Sequence, residues 1–545
     1  MFDIIIKNGL IIDGTGSSGY TADVGIRDGV ITEIAPDLPA AALVTMDAAG
    51  SVVAPGFIDM HTHSDFSLYL DPLAESKVHQ GVTTEVTGNC GGSPAPVLDA
   101  HRDDCMEYIS SLGAICVQHI PPETWCWETL EAFYDELYDR GVAVNAVPLV
   151  GHSTLRSNVM GYDNRVPSPD ELKKMQRLLE IELEKGAFGF STGLIYHPGA
   201  FAQTEELSAL AAVVAAAGGI YSTHMRSEGR LLFEAVAEAL TVARQSGVSL
   251  EISHLKCESP KLWGSAPRLL QRIDDARQAG LRVDFDQYPY TAYNSGMLEI
   301  FPTWAKENGN HKMVALLKDP EQRKAVIADM TNPPPDWEDP MDGLGWDQIL
   351  LTGFQAAPNR VLDGLTVAAM AEKRGQSPLE TVLDVFVEES GRLSMIVFSM
   401  DESDLITILK HPDGMIGSDG RAVSPAGPFG KSAVHPRFYG TFPRVLGRYV
   451  REKQIISLET AVRKMTGLPA RKLGLKDRGL IRIGMAADIV VFDPQTITDN
   501  ATFETSHRLA SGISHVLVNG QAVIENGRHT GRRPGRRARA DKIAW

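Results

Sequence analysis

Residues 219–256 read GIYSTHMRSEGRLLFEAVAEALTVARQSGVSLEISHLK. A short apolar run, Ile220–Thr223, gives way to an amphipathic stretch rich in Ala, Leu, Glu and Arg, Leu231–Gly247, and then to a second short run, Ser249–Ser253. The period passes from strand to helix and back, the pattern of a βαβ unit with two parallel strands. Both runs end in a histidine, His224 and His254. Parallel strands share a direction, so the two histidines emerge at the same edge of the sheet.

The rhythm repeats outward in both directions. Strand-like runs lie at Val82–Val86, Ala143–Val150, Gly186–Phe190, Arg282–Asp286 and Met415–Ile416, with helices such as Asp170–Lys185, Thr204–Ala217 and Ala266–Gly280 between them. This predicts an α/β fold, a (β/α)8 TIM-like barrel spanning 56–475. Residues 302–350, with a Pro-rich acidic loop, read as an insertion, either a surface excursion or a lid or specificity element over the barrel mouth. The first 55 residues and residues 476–530 instead hold short strands split by turns such as Asn8-Gly9 and Asp28-Gly29. The two ends are expected to build one small β-sandwich domain, followed by a basic tail, 531–545.

Composition narrows the function classes. The 545 residues carry 52 Lys and Arg against 69 Asp and Glu, a net charge of −17. Such an acidic surface repels phosphate backbones, so nucleic acid is not an expected partner. Only five cysteines occur, an odd and sparse number that excludes a disulfide framework and fits a reducing compartment. The N-terminal apolar run is broken by Lys7, Asn8 and Gly9, unlike a signal peptide. A cytoplasmic enzyme with a small-molecule substrate and no membrane association is expected, and sheet edges of the small domain allow a homo-oligomer.

Chemistry-bearing residues gather at strand ends. GFIDMHTHSD closes the first strand with His61 and His63, and GVTTEVTGNCGG closes the second with Cys90. His224 and His254 close the fifth and sixth, and GMIGSDG closes the last with Asp419. In a barrel these positions converge on the C-terminal face, where active sites form. His61 and His63 are two apart on a strand, so their side chains share a side. Histidine, cysteine and carboxylate together suit Zn²⁺, and a carboxylate beside such a metal can act as general base. Any one of these residues alone reads as a buried or turn residue; their joint placement points to a metal site.

The chain resembles the amidohydrolase superfamily through PGFIDMHTHSD, Asp419, IIIKNGLIIDGTG and GMAADIVVFDP. Within it, the N-acyl-D-amino-acid deacylase (D-aminoacylase) family is matched by QGVTTEVTGNCGGSPAP, FSTGLIYHPGAFAQTEELSALA, YSTHMRSEG, SHLKC, DFDQYPYTA and HPRFYGTFPRVLGRYVRE. The fourth strand, GAFGFSTGL, lacks the bridging lysine of many superfamily members, and the family uses a second-strand cysteine instead, here Cys90. The resemblance implies one tight zinc on Cys90, His224 and His254, and a second, weaker metal position on His61, His63, Cys90 and Asp419. It implies Asp419 as the catalytic acid/base, and Lys256 with Tyr288 or Tyr290 as holders of a substrate α-carboxylate. Tyr196 is a candidate pocket wall, and Arg421 a candidate partner for an acidic substrate side chain.

The implied reaction is hydrolysis of a linear amide, an N-acyl-D-amino acid, to a carboxylate and a free D-amino acid. The competing readings are another N-acyl amide, a cyclic amide of the hydantoin or dihydropyrimidine type, and a non-catalytic scaffold. Leu255, Gly92, Tyr293 and Asn294 depart from the family pattern near the pocket. They bear on acyl and side-chain preference and leave the proposed ligands intact.

Overall fold

In the computed structural model, residues 1–38, 41–98, 101–111, 119–334, 337 and 339–540 are described. Parts of the Pro-rich loop (335, 336 and 338) and the last five residues of the basic tail lie outside them.

Strands β1 (Phe2–Ile11), β2 (Tyr20–Arg27), β3 (Val30–Ala35), β4 (Ala42–Asp47) and β5 (Val52–Pro55) come first. Then follow β6 (Phe57–Asp59), β7 (Val82–Thr87), β8 (Asn145–Pro148), β9 (Val150–Gly151), β10 (Gly189–Gly193), β11 (Ile220–His224), β12 (Ser249–Ile252) and β13 (Val283–Gln287). The remaining strands are β14 (Tyr293–Gly296), β15 (Ile349–Thr352), β16 (Ser394–Val397), β17 (Gly414–Ile416), β18 (Ile489–Phe492), β19 (Ile513–Val518), β20 (Gln521–Glu525) and β21 (Arg528–His529).

Two parallel sheets carry the central body. One has the order β6-β7-β8 and the other β17-β13-β12-β11-β10-β9. β8 runs almost directly into β9, and at the other side the residues after β6 bond to β17 and its continuation: Met60 N to Ile416 O at 3.3 Å, Asp419 N to His61 O at 2.8 Å, and His63 N to Gly420 O at 2.9 Å. Strands such as β10 and β11 are buried throughout, as parallel strands covered by helices must be. The covering helices start and stop where the sequence signals them. Pro169–Glu184 opens on a capping box, Ser168 with Glu171, and Leu232–Ser246 ends at Gly247 with φ 72°.

The two chain ends meet. β5 pairs with β1 on one edge and antiparallel with β18 on the other, with Val53 opposite Val491. The resulting sheet runs β21-β20-β19-β18-β5-β1-β2-β3, with β4 on β1. The tail that follows lies along β8: Gly535 N bonds Val142 O at 2.8 Å and Ala538 N bonds Ala146 O at 2.8 Å.

One region is wider than the sequence indicates. β14, β16 and β15 form a separate antiparallel sheet. Its strands and the helices around Met313, Val382 and Phe386 share a core of their own. The excursion therefore runs from Tyr293 to Val397, beyond the expected 302–350. Its first strand is four residues long and not apolar in pattern, which hid it from a reading by periodicity. Among the described residues, no helix is long and apolar enough to cross a membrane.

Candidate active site

At the C-terminal ends of the parallel strands, three side chains are delivered by backbone in the left-handed region: Cys90 (φ 50°), His254 (φ 36°) and Asp419 (φ 50°). For cysteine and histidine that conformation is uncommon and is held by neighbours. Tyr108 Oη donates to Cys90 O at 2.6 Å, Asp286 accepts from His254 N at 2.9 Å, and Ser418 beside Asp419 is fixed by Asp59 and Lys77 in a buried network.

Cys90 sits at the centre of the cluster. His61 Nε2, His254 Nε2 and His224 Nδ1 lie 3.3, 3.6 and 3.7 Å from its Sγ. One sulfur and one nitrogen on a tetrahedral zinc are separated by about 3.6 Å, given ordinary Zn–S and Zn–N bond lengths. The spacing and the soft, neutral donor set fit zinc. Burial holds the His224 and His254 rings well below the usual imidazole range, so both are neutral, as ligands must be. Burial pushes the Cys90 thiol up, partly offset by His61; a bound divalent cation reverses that preference.

Next to this group, His63 Nε2 is 3.1 Å and His61 Nε2 3.8 Å from Asp419 Oδ1. Among the described residues, His61–Cys90–His254, His61–His63–Asp419 and His224–Glu228–His254 each bring three ligand atoms within 4.8 Å of one another. Burial alone would raise the Asp419 carboxyl. Arg437, 3.0 Å from Oδ2, together with the hydrogen bond from His63, holds it well below the ordinary carboxylate range.

The cluster forms the floor of a cavity of about 630 Å³ whose wall includes Tyr196, Glu228, Lys256, Tyr288, Arg421 and Arg437. Pro333, Pro334 and Trp337 of the excursion also line it.

A model described as the amidohydrolase family matches residues 44–524. The chain belongs to that family. N-acyl-D-glutamate deacylase of Alcaligenes xylosoxydans xylosoxydans is 36% identical, over 99% of this chain and 97% of that protein. D-aminoacylase of the same organism is 37% identical, over 98% and 97%. Among solved structures, N-acyl-D-glutamate deacylase from Bordetella bronchiseptica, complexed with zinc and a phosphonate mimic of the tetrahedral intermediate, superposes with a TM-score of 0.81 at 35% identity, covering 99% of this chain and all (100%) of that one. A D-hydantoinase structure, with a TM-score of 0.55 at 18% identity, shares the fold.

In this amidohydrolase the sequence-designated residues divide. Cys90, His61, His63, His224, His254 and Asp419 come together, and Lys256, Tyr288, Tyr196 and Arg421 line the cavity above them. Tyr290 does not line it: its hydroxyl points at Pro436 O, 3.5 Å away, and Arg444 covers its ring. The strand ends at Gln287, so beyond it the two-residue period that would put Tyr288 and Tyr290 on one side no longer holds.

Sequence reasoning passes over three residues that the amidohydrolase site depends on. Glu228 accepts from Lys256 Nζ at 2.6 Å, contacts His254 Nδ1 at 2.9 Å, and lies 3.5 Å from His224 Nε2. Against the cost of burial, Glu228 holds the Lys256 ammonium above its ordinary range. Arg437 pairs with Asp419 and lies over the Tyr288 ring at 4.8 Å. Asp286 accepts from His254 N and faces His61 Nδ1 at 3.7 Å. Each stands in a stretch that matches the family, YSTHMRSEG, HPRFYG or DFDQYPYTA, and charged residues in those stretches were the available signal.

Proposed function

We propose that this chain is a zinc-dependent hydrolase that cleaves N-acyl-D-amino acids to a carboxylate and a free D-amino acid. The observation that carries this reading is the placement of three histidine nitrogens around one buried thiol, with a paired carboxylate beside them. Full-length similarity to deacylases of N-acyl-D-amino acids supports the substrate class.

Cys90, His224 and His254 would hold the tight zinc, with His61, His63, Cys90 and Asp419 offering a second, weaker position. Bound there, zinc supplies Lewis acidity to the scissile carbonyl and acidifies water. Asp419, kept ionised by Arg437, takes the proton from the attacking water and delivers it to the departing amine nitrogen. Lys256 and Tyr288 hold the α-carboxylate by charge-assisted hydrogen bonds, and Tyr196 walls the pocket beside His224. Arg421 stands on the cavity wall as a further cationic contact for the substrate. Glu228 positions Lys256 and holds the outward nitrogen of His254, which orients that ligand ring, with the outward nitrogen of His224 3.5 Å from the same carboxylate.

The same reading takes the eight parallel strands as a closed (β/α)8 barrel over 56–475, supported by the bonds between the ends of β6 and β17. It takes residues 1–55 and 476–530 as one β-sandwich domain, supported by the β5–β18 pairing, and the cavity-lining part of the excursion as a lid. Release of free amino acid from matched N-acetyl-D and N-acetyl-L substrates, with zinc-loaded protein, tests the function. Release from D substrates alone is expected. Release from L substrates, or from none with zinc bound, overturns it.

A further inference from the structure

One wall of the cavity holds polar groups that the reaction outlined above does not use. His197 is buried, lines the cavity, and neither ring nitrogen has a hydrogen-bond partner among the described residues. The Phe201 ring packs on it at 4.6 Å, so the imidazole is held in place by an apolar contact and its polar edge is left over. Beside it, Lys306 and Glu299 form a buried ion pair, and both line the same cavity. Glu299 is the one hydrogen-bond partner of the Lys306 ammonium among the described residues, and an ammonium has three N–H donors. Tyr196 and Ser295, hydroxyl to hydroxyl at 3.2 Å, connect this wall to His224, whose ring is 5.2 Å from that of Tyr196.

Buried polar groups without partners are rare, because each gives up its water without compensation. A cavity that keeps such groups in its wall is matched to a ligand that completes them. We propose that His197 and Lys306 form the subsite for the substrate side chain and that this subsite takes a neutral carboxamide, as in the N-acyl derivatives of D-glutamine or D-asparagine. The inference rests on the deacylase reading of the site and names its substrate class.

The chemistry of the two groups selects the carboxamide. Burial, reinforced by Lys306, pushes His197 down to about 3, so the ring is neutral and offers one N–H and one lone pair. Lys306 has N–H donors for an oxygen, but Glu299 already balances its charge. A carboxamide supplies an oxygen to Lys306 and an N–H to His197. A carboxylate would place a second negative charge beside Glu299 and has no hydrogen for the His197 lone pair. An alkyl side chain would leave His197 without a partner and add nothing to Lys306 beyond Glu299, and sites built to hydrogen-bond a substrate discriminate strongly against analogues that cannot.

The test is kcat/KM of the zinc-loaded enzyme for N-acetyl-D-glutamine, -asparagine, -glutamate and -leucine. At least one carboxamide is expected to exceed both glutamate and leucine by tenfold or more. His197→Phe is expected to cut the carboxamide-to-leucine ratio at least tenfold, and His197→Gln, which keeps one donor and one acceptor, to retain most of it, with zinc content measured for each variant. Higher kcat/KM for glutamate or leucine in the unaltered enzyme overturns the subsite, whatever the variants do. A ratio unchanged in zinc-retaining His197→Phe also overturns it. If no D substrate is cleaved, the deacylase reading itself fails, an outcome distinct from cleavage without the preference.

Discussion

The two ends of the parallel strands are built on opposite terms. At the C-terminal ends the backbone turns into the left-handed region at Cys90, His254 and Asp419, and charged and metal-binding groups crowd a cavity. Near the start of β8, at the opposite ends, the tail closes over the sheet with regular backbone bonds, and Arg537 reaches Glu131 at 3.3 Å. One end holds strained backbone, at about 1–3 kcal/mol for each such residue, and uses it to aim side chains. The other satisfies its polar groups and adds to stability. Damage at the first should remove chemistry and spare the fold; damage at the second should do the reverse.

The largest expected effect is that of Cys90→Ala. It should lose the tight zinc and nearly all turnover, with the melting temperature of the metal-free protein little changed. Full zinc content by elemental analysis would remove Cys90 from the site. Asp419→Asn should keep its zinc and lower kcat about 100- to 10,000-fold, the range of a general base; wild-type turnover would show that another group moves the proton. Glu228→Gln sharpens the contrast within the active end. Zinc affinity, read by chelator competition, should fall about 10- to 100-fold, as for other partners of ligand histidines, and KM should rise because Lys256 loses its anchor. Unchanged values of both would reduce Glu228 to a spectator.

At the opposite end, Arg537→Ala should cost about 0.5–3 kcal/mol of stability through lost packing of its nearly buried side chain, since Glu131 keeps Lys185 and Arg539, while kcat/KM stays within about twofold. A fall in kcat/KM without loss of stability would erase the division between the two ends. A last effect, read in stability against pH alone, concerns Asp65, near the first strand end. Burial, only partly offset by bonds from Gly88 and Tyr134, pushes its carboxyl up to about 7. A carboxyl raised on folding binds its proton more tightly in the native state, so stability declines as pH rises from about 4 to 7. Asp65→Asn should flatten that decline, with equal melting temperatures near pH 4 and a higher one for the variant at pH 8. Parallel curves would exclude the linkage.

Much of the active end was legible in the sequence, because ligands on successive parallel strands recur at strand ends and share one face. The residues behind them were harder to read. Glu228 stands four residues beyond His224 in a loop, and Arg437 comes from a helix remote in sequence from the carboxylate it pairs with. Neither spacing carries a period. The left-handed backbone at Cys90 and His254 is equally silent, since neither residue type signals it. The excursion was underestimated because its sheet joins three short strands far apart in the chain, a pairing that no local pattern announces.

The β5–β18 pairing carries a consequence for how the protein is made. Val53 emerges from the ribosome long before Val491, with which it pairs. Until then β5 has an open edge on the side that β18 will cover, while the parallel strands between them are already able to pair. The central body can therefore begin folding during translation, but the sheet that joins β5 to β18 is completed only once β18 has emerged. Strand pairing over such a distance is slow, and an open apolar edge invites association with other chains meanwhile. Yield in a heterologous host should accordingly depend on growth temperature and chaperone supply more than on any residue of the catalytic cavity.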